Sequence, residues 1–123
     1  MMPKFSLADV QPTLANVIGA MQTGRAENVL LMVDASSRQL GGAAAFSEVY
    51  NKTVSGAKTV QLGKVTLSSM PLDDQLVVDG TVQLMVMDFN SVTTPKDLYI
   101  RAWFVARAGN PVLTRLSATP GRQ

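Results

Sequence analysis

Apolar residues recur every third or fourth position up to about residue 55, and every second position after it. The change of period divides the chain into a helical part and a stranded part. Val10, Leu14, Val17, Ile18 and Met21 mark one buried face of a first helix, with Ser6 placed as its N-cap and Thr23-Gly24 as its end. Pro12 falls within the first turns, where a missing N–H costs little. A short second helix is predicted from Arg25 to Met32, with Ala26, Val29, Leu30 and Val33 facing inward. Asp34 to Gly42 is small and polar and reads as a loop with room for a short edge strand. The third helix runs from Ala43 to Thr53 on a stripe of Ala45, Phe46, Val49, Tyr50 and Val54, and Gly56 ends it.

Beyond Gly56 four strands are predicted. The first spans Lys58–Ser68, with Gly63 at a bulge, and Met70 to Asp74 form the following turn. The second, Gln75–Asp88, is long for a small domain. A loop from Phe89 to Lys96 leads to the third strand, Asp97–Ala108. Gly109-Asn110 then makes a tight hairpin turn into the last, Pro111–Ala118. The fold predicted is α+β, with three N-terminal helices in the concave face of a curved, cone-shaped, four-stranded antiparallel sheet. Residues 1–5 are expected to be a disordered or tag-like start, 6–118 one domain, and 119–123 a flexible tail.

Both faces of the long strands are informative. Val78, Gly80, Val82, Leu84 and Val86 form a core face on one strand, and Leu98, Ile100, Ala102, Phe104 and Ala106 form one on the next. The opposite faces carry Val77, Asp79, Thr81, Gln83, Met85 and Met87, and Tyr99, Arg101, Trp103, Val105 and Arg107. Met85, Met87, Tyr99, Arg101 and Trp103 make an outer patch too apolar for a face turned only to water. A stable interface buries about 800 Å² per partner, and a homodimer formed through the sheet is expected; a tail, a loop or a neighbouring domain is the alternative cover.

Composition narrows the partners. With 123 residues, 46% apolar and 16% charged, the chain is long enough for one self-sufficient core. Its net charge of +2 is spread without a basic run, which argues against nucleic acid and against an anionic membrane surface. No stretch approaches the ~18 apolar residues that a spanning helix requires. There is no cysteine, so thiolate zinc sites and disulfides are excluded. Without a disulfide signal, the cytoplasm and, for a chain whose leader was removed, the periplasm both stay open. No apolar leader core lies near the start, because Asp9 and Gln11 arrive at once.

The order of elements, with three stretches of sequence, resembles the nuclear transport factor 2-like superfamily. The stretches are Ala20 to Leu30 around Gly24, Asp74 to Leu84, and the closing hairpin Ile100 to Leu116. The resemblance covers about residues 6 to 118 and rests on pattern; Asn110-Pro111 stands where a tryptophan is common in the family. It implies the cone-shaped fold with a cavity between helices and sheet. It also implies a group containing ketosteroid isomerases, scytalone dehydratases and polyketide cyclases, whose domains are often appended to larger proteins, bacterial envelope and signalling proteins among them. The isomerases' base matches a position near Leu40 or Gly41 and their helix-one tyrosine a position near Val17, and none of these residues moves a proton. The dehydratases and several cyclases lean on histidine, and the chain has none. The resemblance therefore implies a non-catalytic member.

The polar residues that remain are weighed one by one. Asp34 reads as a turn or cap residue, with a base at the cavity mouth as the alternative. Tyr50 reads as a core ring with its oxygen at the rim, or as a hydroxyl that holds a ligand. Asp88 reads as a strand-end carboxylate in solvent, and Asp73-Asp74 as a turn. Glu48 and Asp79 have no metal-ligand spacing, and Gly41-Gly42 lacks the context of a phosphate loop, so neither a cofactor nor a metal is expected. A cavity lined by Tyr50, Phe46, Asp34, Phe104 and Leu84 would take a small apolar ligand. The function expected is a non-enzymatic dimeric module for assembly or for binding an apolar ligand or protein partner. The alternative is a small lyase or isomerase that uses Asp34 or Tyr50.

Overall fold

The computed structural model describes residues 5–35 and 42–121. The predicted edge strand between 34 and 42 and the base-equivalent positions Leu40 and Gly41 lie largely or wholly outside the described residues. Helix α1 spans Leu7–Ala20 and continues into a single 3-10 turn, Met21–Thr23. Ser6 is its N-cap, and its backbone N–H donates to Asp9 Oδ2 at 2.8 Å. That places a carboxylate in the first turn, where the helix dipole favours it. Pro12 is the sixth helical residue and exposed, so the one intrahelical bond that it removes lies on the wet side. Helix α2 is a five-residue piece, Ala26–Leu30, shorter than the apolar spacing predicts because Leu31 and Met32 turn outward into solvent. Helix α3 covers Ala43–Thr53, the span its stripe predicts.

Four antiparallel strands follow, hydrogen-bonded in the order of the chain: β1 Thr59–Leu72, β2 Gln75–Met87, β3 Thr93–Arg107 and β4 Asn110–Pro120. Three limits differ from the pattern. Strand β1 runs through Met70-Pro71-Leu72, so only Asp73-Asp74 turn. Strand β3 starts at Thr93, and β4 continues through Thr119 and Pro120, which pair with Tyr99 and Leu98. Register shifts between Leu62 and Val65 and at Trp103/Phe104 bend the sheet. The first of them is the bulge that Gly63 predicts.

The helices pack on the concave face. Val78, Val82, Leu84 and Val86 of β2 and Leu98, Ile100, Ala102 and Phe104 of β3 are buried there with Val10, Leu14, Val17 and Met21 of α1 and Phe46 and Tyr50 of α3. Ala106, read as core, is exposed near the hairpin end. Gly80 lets the neighbouring strands close over β2. A Cβ there would lie 2.8 Å from Leu67 Cδ2 and 3.1 Å from Ile100 Cγ1.

The β3–β4 turn is Ala108-Gly109, one residue earlier than the glycine and asparagine suggest, since Arg107 pairs with Asn110. Both turn residues have positive φ, 51° and 79°, as a type I′ hairpin requires. Alanine is a poor tenant of that region. Ala108→Asn should therefore stabilise the chain by roughly 0.5–1 kcal/mol, measured as a higher urea midpoint at unchanged slope.

Candidate functional site

On the helical side of the sheet, the residues expected to line a cavity are brought together. Phe46, Tyr50, Leu84 and Phe104 are all at 0% exposure in one core cluster. The Phe46 and Tyr50 rings stack at 5.8 Å between centroids. The Tyr50 hydroxyl donates to the Met21 carbonyl oxygen, so the end of α1 is held by a side chain of α3. Burial pushes the Tyr50 hydroxyl up to about 12, offset only in part by the nearby backbone N–H of Gly24. It is a protonated donor throughout the neutral range.

Asp34 sits apart from this cluster, against the β3–β4 hairpin. Its backbone N–H donates to the Leu113 carbonyl at 2.8 Å, and its Oδ2 accepts from Arg107 Nη1 at 2.8 Å. Asp88 is a turn residue. Its Oδ1 accepts from the N–H groups of Asn90 and Val92 at 2.8 and 3.0 Å, closing the β2–β3 loop. Among the described residues no three acidic side chains gather at one point as metal ligands would.

The outer face of the sheet is built differently. An open concavity of about 550 Å³ lies there, lined by residues of all four strands. The register sets the residues of this face in three rows across the sheet, and of the third row only Trp103 lines the concavity. Thr66, Thr81, Tyr99 and Thr119 form one; Ser68, Asp79, Arg101 and Ser117 form the next; Met70, Val77, Trp103 and Arg115 close the series. In the middle row Arg101 Nε donates to Asp79 Oδ1 at 2.6 Å and Nη2 to Oδ2 at 3.0 Å, a bidentate pair. Those hydrogen bonds, and then the Asp79 charge, push the Arg101 guanidinium up from its already high range. In the third row the Arg115 guanidinium lies 4.5 Å from the Trp103 ring centroid. The extra residue of the bulge, Thr114, donates its hydroxyl to the Trp103 carbonyl at 3.3 Å.

Of the five residues expected on this face, Tyr99, Arg101 and Trp103 line the concavity. Met85 and Met87 share the face but lie nearer the β2–β3 turn, opposite Pro95 and Thr93. The aromatic rings therefore neighbour Thr81 and Val77, not the methionines. The hydroxyls of Thr66, Ser68, Ser117 and Thr119, which also line the concavity, are not among the residues expected from the sequence, although they stand at alternate positions of the two edge strands. Their signal was the period of two itself.

No protein-family model matches the chain, and no curated protein matches it. Solved structures do. A Streptomyces avermitilis protein named "putative dehydratase from the NTF2-like family" superposes with a TM-score of 0.65 at 13% identity, over 98% of this chain and 100% of that one. The chain has the nuclear transport factor 2-like fold. A Cytophaga hutchinsonii protein named as NTF2-like matches at 0.52 and 13% identity, over 95% of this chain and 100% of the other. A Xanthomonas campestris protein named "putative calcium/calmodulin dependent protein kinase II association domain" matches at 0.57 and 12%, over 100% and 94%. At these identities the likeness establishes the nuclear transport factor 2-like fold and leaves activity to the residues. Among the described residues no helix is long and apolar enough to cross a membrane.

Proposed function

We propose that this chain is a non-enzymatic module of nuclear transport factor 2-like fold that assembles as a homodimer through the outer face of its sheet. The observation that carries the reading is the contrast between the two faces. Where enzymes of this fold would hold a substrate, Phe46, Tyr50, Leu84 and Phe104 are packed against one another at 0% exposure. We read them as core contents and not as the lining of an apolar ligand site. Tyr50 is engaged with Met21, and Asp34 with Arg107, so the two candidate proton-handling groups serve structure. The outer face instead presents a concavity with a tyrosine 44% exposed and a half-buried tryptophan. That mixture of aromatic rings, an arginine and hydroxyls is what protein interfaces concentrate. One solved structure that shares the fold is named an association domain, which agrees with a role in assembly.

Light scattering on the purified chain at tens of micromolar is the test. The expected mass is twice 13.1 kDa. Trp103→Ala should weaken the dimer at least about 30-fold, as loss of a central aromatic anchor does. A monomer at that concentration refutes the reading.

A further inference from the structure

From the outer face we infer the orientation of the second copy: the twofold axis runs parallel to the strands, between β2 and β3. This rests on the homodimer reading above and goes beyond it. In a face-to-face pair the axis lies in the plane between the sheets, and each residue meets the partner residue that the rotation selects. Two orientations are natural, along the strands or across them, and the residues of the three rows discriminate between them.

Charge decides first. Asp79 and Arg101 sit side by side on the two central strands, at the middle of the concavity. Their bidentate contact uses two of the five guanidinium N–H groups, and both side chains stay well exposed, at 42% and 47%. An axis across the strands sets Asp79 on the partner's Asp79 and Arg101 on the partner's Arg101, like against like. An axis along the strands sets Asp79 on the partner's Arg101 twice over, so four charges alternate in sign around the axis.

Size decides the same way. With the axis along the strands, Tyr99 meets the partner's half-buried Thr81, a large ring on a small residue, and Trp103 lies over the strand that holds the partner's Val77, which is already buried within its own chain. With the axis across them, Trp103 meets the partner's Tyr99, and large stands on large. The favoured arrangement also opposes β1 to the partner's β4, which brings Ser68 over the partner's Ser117. It keeps the two sheets nearly aligned, the ordinary packing of twisted sheets. Four strands about 4.8 Å apart and about 36 Å long present roughly 700 Å², close to the 800 Å² per partner of a stable pair.

The chain has no cysteine, so introduced thiols report cleanly. Ser68→Cys and Ser117→Cys are made separately and treated with a thiol–thiol cross-linker about 10 Å long, matching the spacing of packed sheets. A mixture of the two variants should give covalent dimers, and Ser68→Cys alone should give none. Cross-linking of Ser68→Cys alone overturns the inference and leaves the dimer standing. In parallel, Arg101→Asp should weaken the dimer at least about 100-fold, and the exchanged variant Asp79→Arg/Arg101→Asp should restore it, because the alternation survives the swap. A dimer indifferent to Arg101→Asp, with an unchanged thermal melt, also overturns the inference. Should Arg101→Asp not fold, the serine pair decides alone. A wild-type chain that is monomeric by light scattering fails the homodimer reading itself and takes the inference with it.

Discussion

Phe104→Ala should lower the stability of the chain by about 3–5 kcal/mol, the cost of deleting a wholly buried ring and leaving its space unfilled. Phe104 is at 0% exposure, in register with Leu76 on one side and Leu113 on the other, and both neighbours are themselves buried. It stands at the bulge where β4 gains a residue, so the backbone on that side is already bent and has little freedom to collapse inward. At a fixed protein concentration the loss should appear as a melting temperature lower by roughly 10–20 °C. Should so large a loss prevent folding, Phe104→Leu should show a smaller drop in the same direction. The variant also tests whether this side of the sheet is filled. A small apolar molecule such as benzene should raise the melting temperature of Phe104→Ala, because a dry apolar void has been opened for it. The wild type should not respond. A wild type stabilised as much as the variant would mean that a ligand cavity exists there already.

The core face of this protein was legible because a half-buried strand repeats every two residues. Val78 to Val86 and Leu98 to Phe104 therefore declare their inner side without any knowledge of partners. The ends of the strands were harder to read. Met70-Pro71-Leu72 and Thr93-Thr94-Pro95 have the composition of turns, yet both lie in strands. Proline is tolerated at Pro71 because β1 is an edge strand, and at Pro95 because β4 ends at Pro120, opposite Leu98, and leaves that flank of β3 open. The outer patch of Tyr99, Arg101 and Trp103 is legible from the alternation alone, but its rows across the sheet depend on these strand ends. With β3 taken to start at Asp97 rather than Thr93, the pairing of Asp79 with Arg101 cannot be obtained, since register follows from the hairpin loop. Charge, aromatic rings and hydroxyls were each visible along the chain, but only the five-residue turn from Asp88 to Val92 aligns them into rows.

Tyr50→Phe should cost about 1–3 kcal/mol at neutral pH and progressively less as the solution is made alkaline. The neutral-pH cost follows from the Met21 carbonyl, which lies at the buried end of α1 and loses the hydroxyl that satisfies it. The pH dependence follows from where the hydroxyl ionises. In the unfolded chain Tyr50 titrates near its ordinary value of 10.0, and in the folded chain near 12, because burial disfavours the phenolate. A group whose value is raised on folding contributes its full stability below the unfolded value. It loses that contribution as pH rises through the folded one, so the window runs from pH 10 to 12. At the difference between those values the loss amounts to roughly 2–3 kcal/mol. The two chains differ only at residue 50, so the gap between them reports that hydroxyl. Urea unfolding of the two chains between pH 8 and 12 is the measurement. A gap between them that stays constant over that range would mean the hydroxyl is not buried as described, and that Tyr50 is more than a structural donor.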